Sequence, residues 1–222
     1  MLVGAESAQA ITVAKPDIEA SVTASVKPTR LPSRGTAPVT LTVAGTITRT
    51  DATTAPSPLH AISFLLDRQL TVTTAGLPTC TVYLGAPLAY TRKHCASALL
   101  GSGTVDETDG FGAKRHSDLL FLNTRGGVRM YVAIDHPPPG EPRSTTVSFG
   151  SGRRLRIRTG AGLGATVSFR FRLGRTWRDD GRQRSYLSGR CVTGTLSNQI
   201  TLSFSDGDVS EATPQRCTRA SR

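Results

Sequence analysis

Apolar and polar positions alternate along most of this chain. Val39, Leu41 and Val43 alternate with Thr40 and Thr42, Gly45 interrupts, and Ile47 resumes. That pattern reads as a half-buried strand with a bulge at the glycine. Ile62, Phe64 and Leu66 open a second run that continues to Val72 with one strongly apolar face. Residues 80–84 form a short apolar stretch, and 119–122 and 128–134 read as a hairpin joined through Asn123 to Gly127. Further strands are expected over 145–149, 155–158, 165–173, 186–192 and 200–204, with Asp206-Gly207 as a two-residue hairpin turn leading to Val209. One stretch departs from this period. Over 91–100, Cys95, Ala96, Ala98 and Leu99 recur at helical spacing, after Pro87 and before Gly101-Ser102-Gly103.

About nine to eleven short strands with frequent turns predict an all-β fold. The expected form is an antiparallel β-sandwich, jelly-roll or Ig-like, with one short helix near 91–100; a closed barrel is the alternative. Residues 1–37 carry Pro16, Pro28, Pro32 and Gly35 among small residues and are expected to be a flexible leader or linker. Residues 38–219 are then a single sandwich domain. Ala8-Gln9-Ala10 resembles a small-residue cleavage site, but the residues before Ile11 lack a basic segment and an apolar segment. This end is either the remnant of a signal peptide or an unstructured leader. No run of eighteen apolar residues exists, so no transmembrane helix is expected.

Composition adds two constraints. The net charge is +11, and 23 of the 27 basic residues are arginine, which favours contact with anionic polymers. Four cysteines fit an oxidising compartment, and their spacing favours pairing Cys80 with Cys95 and Cys191 with Cys217. Three connectivities are open, as is a cytosolic chain with four free thiols. The absence of C-x-x-C argues against a thioredoxin-type motif or a zinc ribbon.

Motifs for known chemistry are weak. TGAGLGA at 159–165 lacks the G-x-G-x-x-G spacing and precedes a strand rather than a helix, so it reads as a turn. There is no G-x-S-x-G; Gly150-Ser151-Gly152 is too short a match. His60, His94, His116 and His136 stand singly, and none has H-x-x-x-H spacing. His116 with Asp118 is the nearest local pair, better read as a solvated loop than as catalytic. Asp106, Glu107 and Asp109 cluster without the EF-hand pattern and read as a solvated acidic turn; turn chemistry accounts for Asp206 and Asp208. No metal and no cofactor are expected.

The sharpest anomaly lies between 153 and 190, where eleven arginines face only Asp179 and Asp180. Arg154, Arg156 and Arg158 alternate with Leu155 and Ile157; Arg170 and Arg172 alternate with Phe169, Phe171 and Leu173. Paired side by side, these two strands would make an arginine ladder suited to phosphate or carboxylate. The bland alternative is a solvated face. Nucleic acid is the weaker partner, because Phe169 and Phe171 fall on the opposite face and cannot interleave as stacking platforms.

Three local patterns resemble an uncharacterised family of secreted, four-cysteine, β-rich proteins of high-GC actinobacteria. They are GLPTC…C-x-x-A-L-L-G-S-G at 76–103, SYLSGRC at 185–191, and F-S-D-G followed by Cys217. The resemblance spans roughly residues 38–219 and implies export with the same four-cysteine frame. It implies no activity or cofactor. The reading that emerges is a secreted or cell-envelope binding module without catalysis, taking an anionic envelope polymer on the arginine face. An extracellular hydrolase with a loop-built site and a structural surface protein without a specific ligand are the alternatives.

Overall fold

The computed structural model describes residues 10–49, 59–81, 86–108, 112–134, 144–158 and 166–220. Twelve strands form one antiparallel sheet. They are β1 (Ala10–Lys15), β2 (Ile18–Lys27), β3 (Thr40–Arg49), β4 (Leu59–Leu65), β5 (Leu99–Thr108) and β6 (Lys114–Thr124). Then follow β7 (Gly127–Ile134), β8 (Ser144–Ser151), β9 (Arg154–Arg158), β10 (Thr166–Leu173), β11 (Thr195–Phe204) and β12 (Gly207–Arg216). The order across the sheet is β1-β2-β3-β10-β5-β6-β7-β8-β9-β4-β11-β12. Strands β5 to β9 are a meander, whereas β4 and β10 have exchanged places: β10 fills the gap between β3 and β5, and β4 that between β9 and β11.

The sheet rolls so that its two halves face each other across one apolar core, a sandwich-like all-β arrangement. Phe64 on β4 meets Phe171 on β10 edge to face, with ring centroids 6.2 Å apart, although these strands stand tenth and fourth in the order. Phe121 packs against the same Phe171 ring at 5.0 Å. Where the rolled edges meet, side chains join them. Lys15 at the end of β1 binds Asp206 at 2.6 Å, and its ammonium lies 4.4 Å from the Phe204 ring centroid.

Several expectations are corrected. The flexible leader does not hold over 10–27, which is β1 and β2. Ile11, Val13, Ile18, Ala20, Val22, Ala24 and Val26 are all buried on one face. Small alanines between the aliphatic side chains thin the apolar signal without breaking its period of two. The bulge expected at Gly45 is absent, and β3 keeps continuous register with β2 and β10. Gly45 instead makes room for a ring: a Cβ there would lie 2.6 Å from Phe169 Cζ.

The helix is shorter and earlier than its spacing predicts. It spans α1 (Leu88–His94), and a 3-10 turn, Ala96–Ala98, leads directly into β5. Gly101-Ser102-Gly103 does not end a helix; it lies within β5, where a Cβ on Gly103 would approach the Phe171 Cβ to 2.4 Å. The expected strand at 80–84 is irregular at 80–81, and its remaining residues lie outside those described.

This covering segment packs on the outer face of β6 and β7. There Cys80, Cys95, Ala98, Leu120, Leu122 and Tyr131 form a second apolar cluster, which is why 119–123 is buried on both faces. Cys80–Cys95 closes the segment on itself, and Asn123 fastens it to the sheet. The Asn123 Nδ2 donates to the Leu77 and Pro78 carbonyls at 3.0 and 3.1 Å, while the Cys80 N–H donates to the Asn123 carbonyl at 2.8 Å. Cys191–Cys217 is the other disulfide, so both expected pairings are present. No described helix is long and apolar enough to cross a membrane.

Candidate functional site: a cavity at one end of the rolled sheet

Strand alternation sets the inner face of β5 as Gly103, Val105 and Glu107, and that of β6 as Phe121, Leu119, Ser117 and Arg115. Both apolar stripes therefore end in charge at the same end of the sheet. Glu107 and Arg115 are direct cross-strand partners. Here the inner faces diverge around a cavity of about 240 Å³. Ten of its fourteen described lining residues are apolar, including Ile47, Ile62, Met130, Val132, Phe169 and Phe171; the others are Glu107, Arg115, Ser117 and Arg158. Arg115 and Arg158 are exposed and Glu107 is half-buried, so the charged groups mark the solvent side of an apolar interior. Arg49, two residues beyond Ile47 on β3, is buried at the same end, only 7% exposed.

Burial pushes the Glu107 carboxyl above the ordinary carboxylate range, and the Arg115 guanidinium partly offsets this. The cluster of Asp106, Glu107 and Asp109 is thus not a solvated turn. Asp106 and Glu107 belong to β5, where alternation sends Glu107 inward and Asp106 outward; Asp109 lies outside the described residues. The signal was present as two alternating stripes that end in acid on one strand and base on its neighbour. It is obscured by the consecutive acidic letters, which look like a loop.

Arg154, Arg156, Arg158, Arg170 and Arg172 are all exposed, but they do not form one ladder. Their strands do not pair. β9 lies between β8 and β4, whereas β10 lies between β3 and β5, and the two stand ninth and fourth in the sheet order. Arg170 and Arg172 sit opposite Ala44 and Thr42 on one side and Thr104 and Ser102 on the other. Arg170 borders a broad polar depression of about 360 Å³ that also contains Asp106. Only Arg158 among the five reaches the interior cavity.

The histidines are dispersed. His116 Nδ1 lies 2.6 Å from Asp106 Oδ1, not against Asp118, which instead pairs with Arg92 at 3.2 Å. Asp106 lies between β6, which holds His116, and β10, which holds its register partner Ser168. A nucleophile relay needs the histidine in the middle, so this order does not assemble one. His94 stacks on Tyr90 with centroids 3.8 Å apart, and His60 is exposed. His136 and the 159–165 glycines lie outside the described residues. Among the described residues, no group of three His, Cys, Asp or Glu could hold a metal ion.

A scan against protein-family models found no match, and neither did a search of curated proteins. The fold and this site together define an all-β protein with an apolar interior cavity and a charged rim.

Proposed function

We propose that the protein is a binding module without catalysis, which takes a small, largely apolar ligand into the cavity at the end of the rolled sheet. The observation that carries this is the division of the lining: ten apolar residues inside, with Glu107, Arg115 and Arg158 at the solvent side. Sites for small molecules share this composition, an apolar wall with a few placed polar groups. The cavity includes Ser117 and Glu107 but no histidine among its described lining, so the hydrolase alternative gains no nucleophile–base pair from it. The five-arginine polymer face loses its geometric basis once β9 and β10 are apart. Two disulfides fit a protein that works in an oxidising compartment, and we place it outside the cytosol, secreted or in the cell envelope.

Titration of the full chain with 1-octanol, followed by amide NMR shifts, tests the binding reading. Shifts should concentrate at Val105, Val132 and Phe169, and Val132→Phe, which fills the cavity, should abolish them. Octanol shifts scattered over the outer faces, or unchanged in Val132→Phe, would overturn it.

A further inference from the structure

The rim gives the ligand a chemical class, an inference that rests on the cavity reading above. Two arginines, Arg115 and Arg158, line the cavity, and Glu107 is the single carboxyl among its described lining residues. Glu107 has Arg115 as its direct cross-strand partner, so one arginine's charge is already offset. The described lining is positive by one with Glu107 ionised. Arg158 comes from β9, several strands away from β5, so arginines approach the rim from separate sides of the cavity. A planar guanidinium offers parallel donors that match the two oxygens of a carboxylate, and such charge-assisted pairs are stronger than neutral ones. An ammonium head would meet the same arginines as like charges.

The interior sets the size of the tail. An apolar cavity of about 150 Å³ accommodates benzene, with six heavy atoms. By the same proportion, 240 Å³ takes a molecule of about ten heavy atoms. Met130 among the lining can adjust to an unbranched chain, because its thioether side chain is flexible.

We infer that the cavity takes an anionic amphiphile of about ten heavy atoms, its apolar tail among Met130, Val132 and Phe169 and its carboxylate at Arg115 and Arg158. Octanoate fits this description, and 1-octanol and octylammonium share its tail while changing only the head.

The experiment is calorimetric titration of the full chain with these three compounds, each below its micelle concentration. Octanoate should bind about tenfold more tightly than octanol, and octylammonium most weakly. Arg115→Gln with Arg158→Gln should lower octanoate affinity about tenfold and leave octanol unchanged. Glu107→Gln should strengthen octanoate binding, since it removes the negative charge that faces Arg115 across the strands. If octanol matches octanoate, or octylammonium binds best, the head-group inference is wrong while the cavity reading stands. If none of the three binds, or all bind Val132→Phe as well as the native chain, both fail. Should the arginine double variant not fold, the ranking of the three heads on the native chain decides alone.

Discussion

Gln215 on β12 completes the free edge of Val26 on β2 with its side chain. Its Oε1 accepts from the Val26 N–H and its Nε2 donates to the Val26 carbonyl, each at 2.8 Å. β1 pairs only with 18–23, so at Val26 that edge of β2 has no neighbouring strand in the ladder. One primary amide thus reproduces the two hydrogen bonds that a paired strand would supply, and it seals the seam of the rolled sheet.

Replacing Gln215 with Ala should cost about 1–3 kcal/mol, because both partly buried Val26 backbone groups lose their partners. Gln215→Glu should fall between native and Ala: a carboxylate can still accept from the N–H but has nothing to donate to the carbonyl. Urea unfolding of the three proteins gives the order, and equal stability would mean that the seam contributes nothing.

Glu107 should make stability depend on pH. Its carboxyl titrates above its ordinary value of 4.5 because it is buried, an effect that the Arg115 guanidinium partly offsets, and Arg158 is the other charged group in the described lining of the same cavity. The folded state therefore holds this proton more tightly than the unfolded chain. The group's stabilising contribution is complete below 4.5 and is lost as pH rises through the folded-state value. Glu107→Gln should flatten that part of the melting-temperature profile and raise the melting temperature at neutral pH. An unaltered profile would show that the carboxyl is effectively solvated.

The two disulfides should differ in what their loss exposes. Cys80→Ser with Cys95→Ser opens a loop of 15 residues, worth roughly 3 kcal/mol in the chain-entropy model, and loosens the cover over Leu120 and Leu122. Removing Cys191–Cys217, which closes 26 residues, should cost a similar amount, roughly 3–4 kcal/mol, without uncovering that face. Binding of an environment-sensitive dye to the native-like state should rise only in the first variant. Identical dye signals from both would contradict the covering role.

Arg156 and Arg170 should contribute independently to any contact with a polyanion, because they stand on strands that do not pair. With polyphosphate as the probe, each change to Ser should lower the salt-dependence slope by about one, and the double change should be the sum. A double variant that loses far more than that sum would place both arginines on one binding surface.

The sequence revealed the composition of faces better than the order of strands. The 128–134 strand, the hairpin after Phe204 and both cysteine pairings were legible because each is local or nearly so, although the two-residue turn is Ser205-Asp206 rather than Asp206-Gly207, since Gly207 already pairs with Phe204 in the ladder. β1 and β2 escaped because Ala20 and Ala24 are small enough to look like linker residues, yet they are fully buried. The arginine ladder failed for a different reason. Alternation correctly turns Arg156 and Arg170 outward, but it carries no information about which strand lies beside which. β9 and β10 follow each other in the chain while β4 and β3, from far upstream, are their partners. Glu107 was hidden by its acidic neighbours, and only the register with Arg115 reveals where it points.

The exchanged positions of β4 and β10 impose a schedule on synthesis. β3 ends at Arg49, yet its second edge has no partner until Thr166–Leu173 has been made. β4 ends at Leu65 and waits for both Arg154–Arg158 and the strand that begins at Thr195. Those edges must therefore remain unpaired until synthesis is well past the middle of the chain. Pairings this distant in sequence close slowly, since a long loop must be ordered before they can form. A nascent chain of this kind depends on being kept apart from its neighbours until its last third has left the ribosome, and collapse of the whole sheet then becomes a single late event.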